Sequence, residues 1–142
     1  MEIIGRLQAI ESIRALKARY FRYIDTKRWI ELDNLFTHDL RVIGEDGSVW
    51  MTGGTAFAES LARSLEGSVS VHQGFTPEIV DVDNATGIWA MEDIVDHGHT
   101  VIHGWGHYHE TYRKVDGAWR IASVKLTRIR YRQEWRDRIA LG

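Results

Sequence analysis

Ala18-Arg19-Tyr20-Phe21-Arg22-Tyr23-Ile24-Asp25-Thr26-Lys27-Arg28-Trp29 is the stretch that decides the fold. It carries an acid, Asp25, at the exit of a long amphipathic pattern. Trp29, Leu32, Leu35 and Phe36 follow, so the exit reads as one wall of a pocket. A carboxylate in the last turn of a helix faces the negative end of the macrodipole, which costs roughly 0.3–1 kcal/mol even when exposed. A histidine that can become cationic is the natural compensation, because it titrates near neutral pH. The competing reading leaves Asp25 in water or capping the next short helix.

Upstream, Leu7, Ile10, Ile13, Leu16 (or the stem of Lys17), Tyr20 and Ile24 recur at three- and four-residue spacing with charges between them, which predicts an amphipathic helix. Downstream, Trp29 to Phe36 predicts a second, short helix, and Leu40 to Ile43 a strand with a turn at Asp46-Gly47. Thr55 to Leu65 predicts a third helix stopped by Gly67. The period then changes. Val69 to Gln73 and Ile79 to Val82 alternate, Asp83-Asn84 turns the chain, and Gly87 to Asp96 and Thr100 to Val115 are long strand candidates. After Asp116-Gly117 a last strand returns through Ala118 to Leu126. Helices first and long antiparallel strands afterwards is an α+β signature, a curved sheet with its helices gathered on one face.

The 142 residues suit one domain spanning 1–142, with 44% hydrophobic and 27% charged residues. A net charge of −2 gives no reason to expect attraction to nucleic acid or to an anionic membrane. The absence of cysteine removes thiolate nucleophiles, thiolate metal ligands and disulfides together, and suits a cytoplasmic site. The N-terminal residues show neither the basic start nor the apolar core of a signal peptide, and no run approaches the roughly 18 apolar residues of a membrane span.

Ile24 to Trp29, Val71-His72-Gln73, Tyr112 to Trp119 and Ile129-Arg130-Tyr131 resemble, in order and spacing, the SnoaL-like or nuclear-transport-factor-two-like superfamily, and in particular its scytalone dehydratase, bile-acid 7α-dehydratase and hexachlorocyclohexane dehydrochlorinase branches. The resemblance implies a cone: a curved antiparallel sheet with three helices from the N-terminal half on its concave face, a cystatin-like α+β barrel. It also implies that Asp25 orients His72, which removes a proton from a substrate carbon. Tyr20 and Asp96 fall close to further polar positions of the bile-acid branch. The scytalone branch is matched less well, with Ile24, Gly44, Asp96 and Tyr108 at four of its site positions, so its substrate does not carry over.

Taken from the residues, His72 sits in an alternating strand, where a lone histidine is ordinarily structural. As a base it needs one ring nitrogen free while an acid holds the other N–H. The enolate that forms needs a donor, for which Tyr20 or Tyr108 is placed, and a leaving hydroxyl needs an acid, for which Asp96 serves only if burial raises its pKa. Tyr20 reads equally as a core aromatic, and Asp96 as a solvated strand end. By period two, Glu92 and Ile94 share the face of Asp96 and become pocket candidates, as do Trp29 and Tyr131.

His97, His99, His103, His107 and His109 invite a metal reading. Along a strand at about 3.3 Å per residue, His103 and His107 stand about 13 Å apart, so only His107 and His109 could chelate together. Neither a metal nor a cofactor is expected. Gly104, Gly106, Tyr108 and Glu110 would occupy the opposite face, where the glycines leave room for a ligand, and the histidine face becomes a subunit contact of a homo-oligomer, dimer or trimer. Arg130 to Ile139 alternates charge with aromatics and reads as a docked helix, with a role as a lid over the pocket. The sequence thus points to a cofactor-independent lyase of dehydratase type acting on a hydrophobic, carbonyl-containing ring or aromatic compound. An isomerase or carbon–carbon lyase using the same dyad, or a non-catalytic binding or assembly domain, are its rivals.

Overall fold

The computed structural model describes residues 2–136, apart from the side chains at 80 and 81. Helices α1 (Ile3–Asp25) and α2 (Trp29–Asp33) lead into strands β1 (Phe36–Ile43) and β2 (Val49–Thr52). Helix α3 (Gly54–Ser64) follows, then β3 (Val69–Asp81), β4 (Thr86–Asp96), β5 (Thr100–Val115) and β6 (Ala118–Trp135). The six strands form one sheet in the order β2-β1-β6-β5-β4-β3. Every pairing is antiparallel except β1 with β6, so the expected antiparallel sheet is mixed, and it stays open between its β2 and β3 edges.

Alternation sets the two faces of the sheet. In β4, Gly87, Trp89, Met91, Asp93 and Val95 are buried, while their neighbours turn outward. In β5 the even residues from Gly104 to Tyr112 are buried, and Tyr108 and Glu110 among them meet Tyr20 and Lys17 of α1. The stripe Ile13, Leu16, Lys17, Tyr20 and Ile24 of α1 closes this concave side, whereas Leu7 remains 60% exposed. Register breaks in the β5–β6 ladder beside Trp105 and beside Thr111 bend the long hairpin, as bulges do, and so curl the sheet round its core. Asp116 and Gly117 both have positive φ at the tip of this hairpin, the pairing that matches strand twist.

The C-terminal stretch differs from its expectation. Arg130 to Trp135 continues β6, paired with Trp105 back to Thr100, instead of forming a docked helix. Alternating charge and aromatic residues satisfy a period of two as readily as a helical stripe, and the free edge of β5 decides the matter by supplying backbone partners. Ile139 and the remainder of the expected lid lie outside the described residues.

Candidate active site

The concave face encloses a cavity of about 430 Å³. Its walls are apolar, from Ile24, Val42, Phe57, Leu61, Val95, Ile102 and Leu126. Tyr20, His72, Asp93, Tyr108 and Arg128 bring polar groups to it, and Trp50, Ser60, Ser64, His97 and Tyr131 are also among its lining residues. The indole of Trp50 lies over Gly44, where an added Cβ would fall 2.2 Å from its Nε1.

The exit of α1 aims its acid at β3. Lys27 takes a left-handed conformation (φ 58), its N–H bonds Ile24 O at 3.1 Å, and Arg28 N–H bonds Tyr23 O at 2.8 Å. These two bonds form the Schellman ending that glycine ordinarily serves, and they satisfy otherwise orphaned carbonyls. The Lys27 ammonium then donates to Ser68 O at 2.5 Å, which ties the helix exit to the start of β3. Asp25 thereby meets three donors: the His72 backbone N–H on Oδ2 at 2.8 Å, the Ser70 hydroxyl on Oδ1 at 3.0 Å, and His72 Nδ1 at 2.7 Å from Oδ1. They offset the unfavourable end of the helix dipole. With Nδ1 committed to Asp25, Nε2 is the ring nitrogen left for a substrate, and the His72 side chain is only 10% exposed.

Beside this pair, His72, Asp93, Gly104 and Tyr131 lie in one row across β3, β4, β5 and β6. Arg128, two pairs further along and opposite Gly106, reaches over Gly104 to hold Asp93 through two bonds of 2.8 and 3.1 Å. Burial pulls the Arg128 pKa down, but the hydrogen bonds and charge of Asp93 outweigh it and the net shift is upward. A Cβ at Gly104 would fall 1.8 Å from Arg128 Nη1 and 2.6 Å from Asp93 Oδ1. The space that these glycines create is therefore filled by the chain itself: at Gly104 by the ion pair, and at Gly106 by the backbone carbonyl of Thr127, 1.8 Å from where a Cβ would stand.

Tyr20 and Tyr108 are both only 4% exposed, with ring centroids 6.0 Å apart in an edge-on arrangement. Burial pushes both phenols above their usual range, and the charge of Glu110 adds to it. They remain protonated, and so are donors, at neutral pH.

Residues 5–125 match the SnoaL-like domain. The chain belongs to the SnoaL-like family. This SnoaL-like chain is 26% identical to the probable cyclase FGR4 of Gibberella zeae, over 86% of its own length and 92% of that protein's. Among solved structures it is similar to a Novosphingobium aromaticivorans protein provisionally named a scytalone dehydratase (TM-score 0.70, 20% identity, covering 89% of this chain and 87% of that one). It is similar also to a hexachlorocyclohexane dehydrochlorinase, LinA type 2 (TM-score 0.73, 17% identity, 94% and 93% covered).

Of the site residues expected from sequence, the SnoaL-like fold brings Asp25, His72, Tyr20, Tyr108 and Tyr131 together. It does not bring Asp96, Glu92 or Ile94 to the cavity, because even-numbered β4 residues face outward there. Asp96 pairs with Arg136 and accepts the Gly98 N–H, and these contacts hold its carboxyl below the usual range, the reverse of what a proton donor needs. Glu92 lies 2.9 Å from His103 on the convex face. Ile94 is 36% exposed there, opposite the exposed Val71 of β3. Trp29 packs against the core and not the cavity. The acid that sequence reasoning missed is Asp93, and its signal was present: Trp89, Met91 and Val95 mark the odd face of β4 as apolar and inward. Arg128 was legible in the same way, two residues beyond Leu126 and four beyond Val124. Among the described residues no cluster of three or more metal-binding side chains forms, and no helix is long and apolar enough to cross a membrane.

Proposed function

We propose that this chain is a cofactor-independent lyase of dehydratase type, acting on a neutral, hydrophobic carbonyl compound. The observation that carries the reading is the 2.7 Å contact between His72 Nδ1 and Asp25 Oδ1 at the wall of a largely apolar cavity. In this scheme neutral His72 takes a proton through Nε2 from the carbon next to a carbonyl, while Asp25 holds the Nδ1–H and stabilises the imidazolium. The enolate oxygen takes a hydrogen bond from a phenol of the Tyr20 and Tyr108 pair, both of which line the cavity. The C–O bond on the adjacent carbon then breaks as the C=C bond forms, and the departing hydroxide takes the proton back from His72 and leaves as water.

The ion pair narrows the substrate class. Arg128 already spends two N–H bonds on Asp93, so a substrate carboxylate would have to compete for the guanidinium with an acid that itself lines the cavity. A cavity of about 430 Å³ lies in the usual range for small-molecule sites and suits one or a few fused rings. One observation favours isomerisation as a second reading: Asp93 is tied to Arg128 and serves as an acceptor, so His72 is the group that must return the proton, and returning it to carbon gives an isomer. Incubation with matched β-hydroxy ketones and β-hydroxy acids, followed by the ultraviolet absorbance of the conjugated product, tests the proposal. Enone formation from the ketones alone is expected; turnover of the acids, or of neither set, counts against it.

A further inference from the structure

Lys17 is among the largest side chains that the fold buries completely, and nothing in the proposed reaction uses it. Its ammonium lies 2.6 Å from Glu110 Oε2, with both side chains fully shielded from solvent. The same nitrogen stands 3.8 Å from the ring centroid of Tyr20, 3.7 Å from that of Tyr108 and 4.9 Å from that of Phe21. On the far side, Glu110 Oε1 accepts the Tyr112 hydroxyl at 2.8 Å, and Tyr112 in turn accepts the Trp89 indole N–H at 2.9 Å. Glu110 is thus anchored away from the cavity. The cation of the pair is pressed against the two phenol rings that line the cavity.

A buried ion pair is weak support for stability, because well-packed apolar residues in its place are often as stable or more so. A cation on the face of a phenol, by contrast, draws electron density from the ring, and in a water-excluded site such an interaction is at its strongest. The charge of Glu110 already raises both phenols and so weakens them as donors, and the cation seated on the ring faces opposes it; a reversed pair would seat the carboxylate there instead.

We propose that Lys17 is a positioning residue that acts through Tyr20 and Tyr108, fixing the two rings and strengthening their hydroxyls as donors to a carbonyl oxygen in the cavity. The inference rests on reading that cavity as the active site. It predicts that neutralising the pair lowers kcat about tenfold, part of the loss seen when a whole oxyanion donor is removed, with little change in KM.

Lys17→Met alone would strand Glu110 without its cation and endanger folding, so the test uses the paired variant Lys17→Met/Glu110→Gln, whose amide oxygen can still accept from Tyr112. The probe is cyclohexenone labelled with ¹³C at the carbonyl, bound to wild type, to the paired variant, to Tyr20→Phe/Tyr108→Phe and to the fourfold combination. Donation to the oxygen moves the carbonyl resonance downfield. The expected result is a downfield shift in wild type that is reduced in the paired variant, with no further effect of the Lys17 and Glu110 changes once both phenols are gone. An equal shift in wild type and the paired variant, or an effect of the pair that persists without the phenols, would overturn the inference. Because the resonance is read without turnover, a wild type that shows the shift yet performs no carbon-acid chemistry sinks the functional proposal and leaves this one standing.

Discussion

Asp25 grips His72 at two points: Oδ1 lies 2.7 Å from the ring Nδ1, and Oδ2 accepts the backbone N–H of the same residue at 2.8 Å. One carboxylate therefore fixes both the strand and the ring it carries. Asp25→Asn puts an amide NH₂ where one of these acceptors was, so either the ring tautomer or the strand contact is lost. The expected outcome is a fall in kcat on the order of 10²–10⁴-fold with a much smaller change in KM, as for other orienting acids behind a histidine base. Steady-state kinetics checks it; a KM effect with kcat preserved would give Asp25 a binding role instead.

Arg128 and Asp93 depend on each other. Asp93 is nearly buried, with a side chain 8% exposed, whereas that of Arg128 is 28% exposed. Arg128→Met leaves the acid without its bidentate partner and should cost about 1–3 kcal/mol, less than a fully buried pair because solvent still reaches the guanidinium. Adding Asp93→Asn should recover most of that loss. Urea midpoints of the two variants decide, and a double variant no more stable than Arg128→Met would contradict the pairing.

The two cavity-face glycines differ in what an added methyl meets. At Gly104 it meets the ends of side chains, Arg128 Nη1 and Asp93 Oδ1, which can swing aside. At Gly106 it meets the carbonyl of Thr127, which belongs to the β6 backbone. Gly104→Ala should therefore fold with a modest loss, about 1–3 kcal/mol, and altered ligand binding, while Gly106→Ala should lose more. Thermal unfolding of the pair gives the ranking, and the reverse order would count against this packing.

Buried phenols set the alkaline limit. Burial raises the pKa of Tyr20, Tyr108 and Tyr112, with Glu110 adding to it in each. The folded chain therefore keeps protons that the unfolded chain sheds near pH 10, so this stability is whole below about pH 10 and is lost as pH rises beyond it. Lys17, whose pKa burial lowers against the pull of Glu110, works in the opposite sense, but it is one group against three. The phenolate absorbance of these three tyrosines should appear together with the loss of circular dichroism. Their ionisation in an intact fold would contradict the burial.

How much of this was legible in the sequence depended on which periodicity carried the information. The helical stripe and its exit acid were readable because Ile13, Leu16, Tyr20 and Ile24 repeat at helical spacing right up to Asp25. The pocket acid lies on the other face of β4 from Asp96, which ends the strand: the apolar phase of Trp89, Met91 and Val95 selects Asp93. A one-residue change of phase turns every side chain of a strand over. Lys17 occupied an interior position of the α1 stripe, but its partner Glu110 lies 93 residues away, and no local pattern joins them. The parallel pairing of β1 with β6 was hidden for the same reason, since register between distant strands is a property of the closed core and not of either segment.

The central claim is that His72 removes a proton from carbon. The measurement that meets it most directly is hydrogen–deuterium exchange, followed by NMR in deuterated buffer, at the acidic C–H positions of steroid, polyketide and lignin-type ketones, with wild type compared with His72→Ala. The account predicts exchange or conversion of at least one neutral ketone that disappears in His72→Ala while ligand binding persists. Exchange that continues without His72, or ligands that bind wild type across the whole panel and never exchange, would contradict it.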